Sequence, residues 1–225
     1  MFWLQPHPRD ATPQRGSPVL FRVPFIEAHL SRVQPWQILA LWVPVSLYCL
    51  ARGGLDPALA WPEVAGLAVA GLGAWTLLEY VLHRFVFHHG FDHRSALQHD
   101  LAFLVHGIHH DYPWDADRLV MPPVLAVGIA LAIGLPMRAV LGPHAFWPTF
   151  AGLIAGYLWY DLAHFAAHHH KPTTWLGKLQ RRQHLLHHFQ SPHARYGVTT
   201  PVWDHVFRTT GTPEPTGQPT AIPEP

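Results

Sequence analysis

The sequence predicts an all-α integral membrane protein with four transmembrane helices and a cytosolic helical cap that holds a histidine-rich di-metal site. Three observations predict it. Apolar residues are concentrated in four blocks. Ten histidines fall into four tight groups beside those blocks. Lysines and arginines avoid the two short connections between blocks.

The elements follow in order. Residues 1–34 carry scattered arginines and prolines with no continuous apolar run, so a cytosolic segment without a cleavable signal peptide is expected. Membrane helices are expected over roughly Pro35 to Leu50, Val64 to Leu82, Leu119 to Leu141 and Ala145 to Tyr160. A span needs about 20 mainly apolar residues, fewer at an interface or in a thin region. The first and fourth are short by that measure, and the first contains Pro44. Core helices of a water-soluble fold are the alternative, but few soluble folds need four such blocks. Helices two and three, and one and four, are expected to pair. Gly66, Gly71 and Gly73 make no phosphate loop and are read as small residues that let helices approach closely. A further helix is expected after Lys171, through about Phe189, because KLQRRQHLLHH is rich in good helix formers. The membrane-embedded domain is thus 35–208, and the Thr/Pro/Gly tail 209–225 is expected to be disordered.

Charge sets the orientation. Arg52 and Arg138 alone flank the two short loops. The N-terminal segment, the central loop with Arg84, Arg94 and Arg118, and the region after Lys171 hold the remaining lysines and arginines. Cytoplasmic segments carry the excess of Lys and Arg. Both termini and all four histidine groups are therefore expected on the cytoplasmic side of a multi-pass protein.

Composition excludes several classes. A formal net charge of +1, with no basic–aromatic surface, gives no sign of a nucleic-acid partner. Cys49 is the only cysteine, so neither a disulfide framework nor a thiolate zinc site is expected. No nicotinamide or flavin motif is present, so electrons for any redox step must come from a separate electron-transfer protein.

The histidine spacings suit a pair of metals. His164 and His168 are four apart and share one helix face. His106, His109 and His110, like His184, His187 and His188, follow i, i+3, i+4. Adjacent histidines in each trio splay by about 100° on a helix, which suits one turning toward each metal. His83 and His88 are five apart, which a regular helix does not place on one side; either they serve different metals or the helix ends between them. Ten ligands over two metals give five each, leaving a six-coordinate iron one open position for O2. His93, His99, His193 and His205 are weaker candidates, as outer partners of the ligands.

Metal-bound histidines usually give their other ring N–H to a carboxylate or carbonyl. Glu79 precedes His83 by four and Asp161 precedes His164 by three, so both are candidate partners. Tyr160, beside Asp161, is a candidate for orienting a substrate headgroup, or else a membrane-interface anchor. Trp75, Phe85, Phe103 and Trp159 are candidate walls of an apolar tunnel beneath the cap.

The stretches EYVLHRFVFH, HGIHHDYPWDADRLVMPP, YDLAHFAAHH, HLLHHF and GVTTPVWDHVFRTT resemble the fatty acid 2-hydroxylases, within the wider fatty acid hydroxylase superfamily. The resemblance covers about residues 75 to 210. It implies four membrane helices and a non-haem centre of two Fe ions on the cytosolic face, with the ten histidines as ligands. It also implies O2- and electron-dependent hydroxylation of the carbon next to an acyl carbonyl, in a free fatty acid or a lipid. Many eukaryotic members carry an N-terminal haem domain of the cytochrome b type; no such pattern precedes residue 35, so a separate donor is expected.

Two other readings follow from the same residues. The histidine groups alone also fit a sterol or carotenoid hydroxylase or desaturase. A membrane zinc-binding or metal-transport protein is the alternative of another class. A transporter should place ionisable residues near the middle of its helices, whereas here the histidines lie at the helix ends. Zn in purified protein is compatible with iron chemistry, because imidazole sets bind zinc readily.

Overall fold

A computed structural model describes residues 4–5, 13–89 and 95–211. Apart from one bridge pairing of Leu4 with Phe21, the described residues form helices and loops. The expectations for His93, Arg94 and most of the tail 209–225 lie outside the described residues.

A short helix α1 (Pro24–His29) precedes α2 (Pro35–Gly54). Pro35 stands where its missing N–H costs nothing, and Gln37 Oε1 accepts the Gln34 N–H at 2.7 Å. Pro44 is accommodated inside the helix. Helix α3 (Trp61–Val81) carries Pro62 in its first turn, with Glu63 capping Ala60 N–H at 2.7 Å. It then widens without a break into a π-helix, Leu82–His88. α4 (Ala96–Ala102) likewise runs through a π-turn, Phe103–Gly107, into α5 (Ile108–Asp111).

α6 (Pro123–His169) contains both remaining apolar blocks. Gly142 divides it, at φ 72° and ψ 175°, a left-handed conformation that glycine adopts without steric cost. The two halves run back along each other. Met121 N–H donates to Asp161 Oδ2 at 3.3 Å, and Phe150 packs on Gly134. The second half extends beyond the expected end at Tyr160, so His164 and His168 ride on the same continuous helix. α7 (Trp175–Phe189), capped by the Thr174 hydroxyl, and α8 (Val202–Val206) complete the chain.

Two helices, Trp61–His88 and Pro123–His169, are long and apolar enough to cross a membrane. Only 28% and 11% of their most apolar windows are buried inside the protein, so these faces point outward, unlike the core helix of a soluble fold.

The second half of α6 is the hub of the bundle. α2 packs on it through Ser46 Oγ, which donates to Ala151 O at 3.1 Å, and through Trp42 edge-on to Tyr157. α3 crosses it where Gly71 meets the Thr149 carbonyl and Gly152 meets the Ala68 carbonyl; a side chain at either position would overlap that oxygen. α3 thus pairs closely with the fourth apolar segment as well as meeting the third. Gly66 and Gly73 face open space and play no part in the crossing. The α2–α3 turn and the Gly142 hinge meet at one end of the bundle, where His144 Nδ1 lies 2.6 Å from Asp56 Oδ2. The histidines gather at the other end.

Candidate metal centre

The ten histidines form two groups of five. One holds His83, His88, His106, His110 and His187; the other holds His109, His164, His168, His184 and His188. Within each group the candidate ligand nitrogens all lie within 4.8 Å of one another. The groups touch, with His110 stacked on His188 at 4.2 Å between ring centres.

Local backbone geometry sorts the side chains. In the trios, His109 turns away from His106 and His110, and His187 turns away from His184 and His188. That is the splay expected of adjacent helical positions. His83 and His88 fall in one group, with Nε2 atoms 3.2 Å apart. The reason is the π-helix, whose wider turn brings residues five apart onto one face. A second π-turn at Phe103–Gly107 precedes the His109–His110 turn; His106 and His110 Nε2 atoms lie 3.0 Å apart.

The donor set fits metal ions. His83 Nδ1–H donates to Tyr196 O and His187 Nδ1–H to Ala194 O, both at 2.6 Å. A carbonyl only accepts, so each Nε2 is left with its lone pair facing the group. Those Nε2 atoms stand 3.1 to 3.2 Å from the Nε2 of His88, which has one proton at most to offer when neutral. A shared cation satisfies such convergent lone pairs. In the other group, His164 and His109 Nε2 are 2.8 Å apart, as are His168 and His184 Nε2. Both ring nitrogens of His188 are buried without a hydrogen-bond partner among the described residues.

Electrostatics point the same way. Burial, reinforced by neighbouring imidazoles, holds His106, His109, His110, His184 and His188 well below the ordinary histidine pKa. Burial pushes His187 down to about 4, with the Ala194 carbonyl opposing. These rings are neutral at pH 7, the form that binds metals.

The other candidates take different places. Glu79 is 2% exposed but touches no ligand by hydrogen bond. It accepts the N–H groups of Val198 and Thr199 and the Thr199 hydroxyl, at 2.8 to 2.9 Å. It therefore holds the loop whose Tyr196 carbonyl faces His83. Asp161 is buried and accepts from Met121 N–H, tying the start of α6 to the helix that bears His164 and His168. Tyr160 is buried against His164, ring centres 5.8 Å apart, and is not at a water interface. His193 and His205 are exposed.

A small apolar cavity of about 30 Å³ lies between α2, α3 and both halves of α6. Trp42, Trp75, Ala130, Ile133, Phe150 and Tyr157 are among its walls. Of the expected tunnel aromatics only Trp75 lines it. Phe85 is 51% exposed, and Phe103 packs with Leu4, Leu20 and Ile108 in a separate cluster. Hydrophobicity alone does not say which way an aromatic points.

Sequence reasoning missed the carbonyls of Ala194 and Tyr196, which no residue type signals. It also missed Asp204, whose signal was its place as the one acidic residue among six basic ones in residues 171–211.

The family described as "Fatty acid hydroxylase" matches residues 68–209. The dihydroceramide fatty acyl 2-hydroxylase FAH1 of Arabidopsis thaliana is 35% identical over 77% of this chain and 72% of its own length. The ceramide very long chain fatty acid hydroxylase SCS7 of Saccharomyces cerevisiae is 37% identical over 87% of this chain, which spans 50% of that relative. A solved structure described as "Full length scs7p (only hydroxylase domain visible)" superposes with a TM-score of 0.78 at 34% identity, covering 84% of this chain and 71% of the other.

Proposed function

Because the chain belongs to the fatty acid hydroxylase family, we propose that it hydroxylates a fatty acyl chain, free or in a lipid, at the carbon next to the carbonyl. The reaction uses O2, and a separate protein delivers the electrons. The observation that carries this reading is the pair of five-imidazole groups, eight of the ten rings buried, at the end of an apolar bundle. Relatives named as acyl 2-hydroxylases support the position of attack.

Two iron ions held by the ten histidines would supply the reductive activation of O2 that insertion of oxygen into a C–H bond requires. The protein's own groups do the rest. Burial of the ligands, at 0% to 8% exposed for eight of the ten, keeps water from the site. The apolar cavity marks where the acyl chain enters between the halves of α6. It admits one or two water-sized groups as it stands, so the halves part to take a chain. Tyr157 in its wall and His164 are seven residues apart on one helix, a rise of about 10 Å. Tyr160 stands between them in the chain, its ring centre 6.0 Å from that of Trp75 in the cavity wall. Tyr160 is assigned to orienting the substrate's polar end. Asp161 and Glu79 act by fixing the backbone around the ligands.

The functional unit is residues 35–208, with four membrane passes: α2, α3 and the two halves of α6. The histidine cap and both termini are assigned to the cytoplasmic side, on the placement of lysine and arginine.

The test is lipid analysis by mass spectrometry. Wild type and His184→Ala are expressed with a compatible reductase in a host that makes no hydroxylated acyl chains. The expected result is 2-hydroxy acyl chains with the wild type alone, and the lipid bearing them names the substrate. Hydroxylated sterols or carotenoids in their place would support the other oxygenase reading. Metal accumulation without any oxidised lipid would support the transport reading.

A further inference from the structure

One loop serves one histidine group. The loop after α7 presents the Ala194 carbonyl to His187 and the Tyr196 carbonyl to His83, and both histidines belong to the same group of five. In the other group, Nδ1 of His109, His168 and His184 is buried with no hydrogen-bond partner among the described residues. The rings of the two groups are therefore oriented by different means.

Between the two carbonyls stands Arg195 at φ 62°. A non-glycine residue in this left-handed region is sterically strained and persists only where its surroundings hold it. Asp204, itself 2% exposed, does the holding. Its Oδ1 accepts the Tyr196 N–H and the Thr209 hydroxyl, and its Oδ2 accepts the Gly197 N–H, all at 2.8 Å. Main-chain bonds close the latch: Arg195 N–H donates to Thr209 O at 2.7 Å, and Thr209 N–H to Asp204 O at 2.8 Å. Gly197 lies so near that an added Cβ would stand 2.9 Å from Asp204 Oδ2. The Tyr80 hydroxyl, 3.0 Å from Thr209 Oγ1, backs the latch from α3.

We propose that Asp204 is a positioning residue for one metal of the pair. It fixes the Ala194 and Tyr196 carbonyls, and through them the tautomer and tilt of His187 and His83. The group of His109, His164, His168, His184 and His188 does not depend on it. This inference rests on the two-metal reading above. It predicts that the two metals are held by separable devices, one of them remote from the ligands.

The test uses zinc as the probe, with full-length protein in detergent micelles loaded to two zinc ions per chain and challenged with a chromophoric chelator. Asp204→Asn sets an amide donor where a carboxylate oxygen accepted. The expected result is that one zinc per chain leaves ten- to a hundredfold faster, the range typical of lost outer partners of a metal ligand. The other zinc leaves at the wild-type rate, and the helical circular dichroism is unchanged. Release of both at wild-type rates from a folded variant overturns the proposal. So does equal acceleration of both, which is what a merely structural role predicts. Should Asp204→Asn not fold, Thr209→Val removes one bond of the latch and is expected to speed the same single phase; an unchanged or uniformly faster release overturns the proposal. A wild type that cannot hold two zinc ions overturns the two-metal reading and the latch with it, whereas uniform release from a loaded variant overturns the latch alone.

Discussion

Tyr196 offers its main-chain carbonyl to the Nδ1–H of His83 at 2.6 Å, across 113 residues of sequence. This contact joins the end of a membrane helix to a loop of the cap, and it makes His83 present Nε2 to its group. Ligand geometry here depends on backbone far away in the chain. The predictions below probe that dependence and the bundle beneath it.

His184→Ala removes a ligand whose Nε2 faces His168 at 2.8 Å. Turnover is expected to vanish and metal content to fall, with the helical content retained. Near-normal activity and metal content would contradict the assignment of His184 as a ligand.

Glu79→Ala strips the acceptor from three buried donors, Val198 N–H, Thr199 N–H and the Thr199 hydroxyl. Each donor left unpaired costs about 1–3 kcal/mol. A clear drop in thermal stability in detergent is expected, with partial loss of metal that is milder than for His184→Ala. An unchanged melting temperature would show that the loop is held by other means.

Gly152→Leu places a side chain against the Ala68 carbonyl at the crossing of α3 and α6. Overpacking of this kind costs about 1–3 kcal/mol or more, and here it separates the two main apolar helices. Reduced expression and a lowered melting temperature are expected. Gly66→Leu, facing open space, is the matched control and should be neutral.

Arg118→Met leaves the buried carboxylate of Asp115 without the guanidinium 2.6 Å away, while Glu27 keeps Arg32 at 2.9 Å. Breaking a buried ion pair by removing one partner costs about 3–5 kcal/mol. Limited proteolysis should then cut the N-terminal segment more readily. Equal protection in wild type and variant would contradict a role for Arg118 in holding the N-terminal segment.

The metal-free cap should be sensitive to acid. Burial depresses the folded pKa of His187 to about 4, below the ordinary 6.5. Its contribution to stability is therefore full above about 6.5 and is lost as the pH falls toward 4. His106, His109, His110, His184 and His188 shift in the same direction. Thermal unfolding of chelator-treated protein between pH 8 and pH 4 checks this. The melting temperature should fall across the acid part of that range, and an unchanged melting temperature would contradict it.

What the sequence made legible follows from periodicity. The trios at 106, 109, 110 and 184, 187, 188 divide as helical geometry requires, and the apolar blocks mark the bundle. His83 and His88 were ambiguous because spacing predicts a face only once the helix type is known, and this one is a π-helix. Glu79 and Asp161 are expected from spacing to partner the rings of His83 and His164, but their hydrogen-bond partners include main-chain N–H groups of distant segments, which carry no sequence mark. Phe85 and Phe103 were drawn to the tunnel by their chemistry, and tertiary packing turned them elsewhere.

The central claim is oxygen-dependent hydroxylation beside an acyl carbonyl. Its most direct test is turnover of iron-loaded protein in lipid, with an electron donor, under 18O2. The account predicts a 2-hydroxy acyl product carrying one 18O atom in the new hydroxyl. A product hydroxylated elsewhere, or a 2-hydroxyl whose oxygen comes from water, would contradict it.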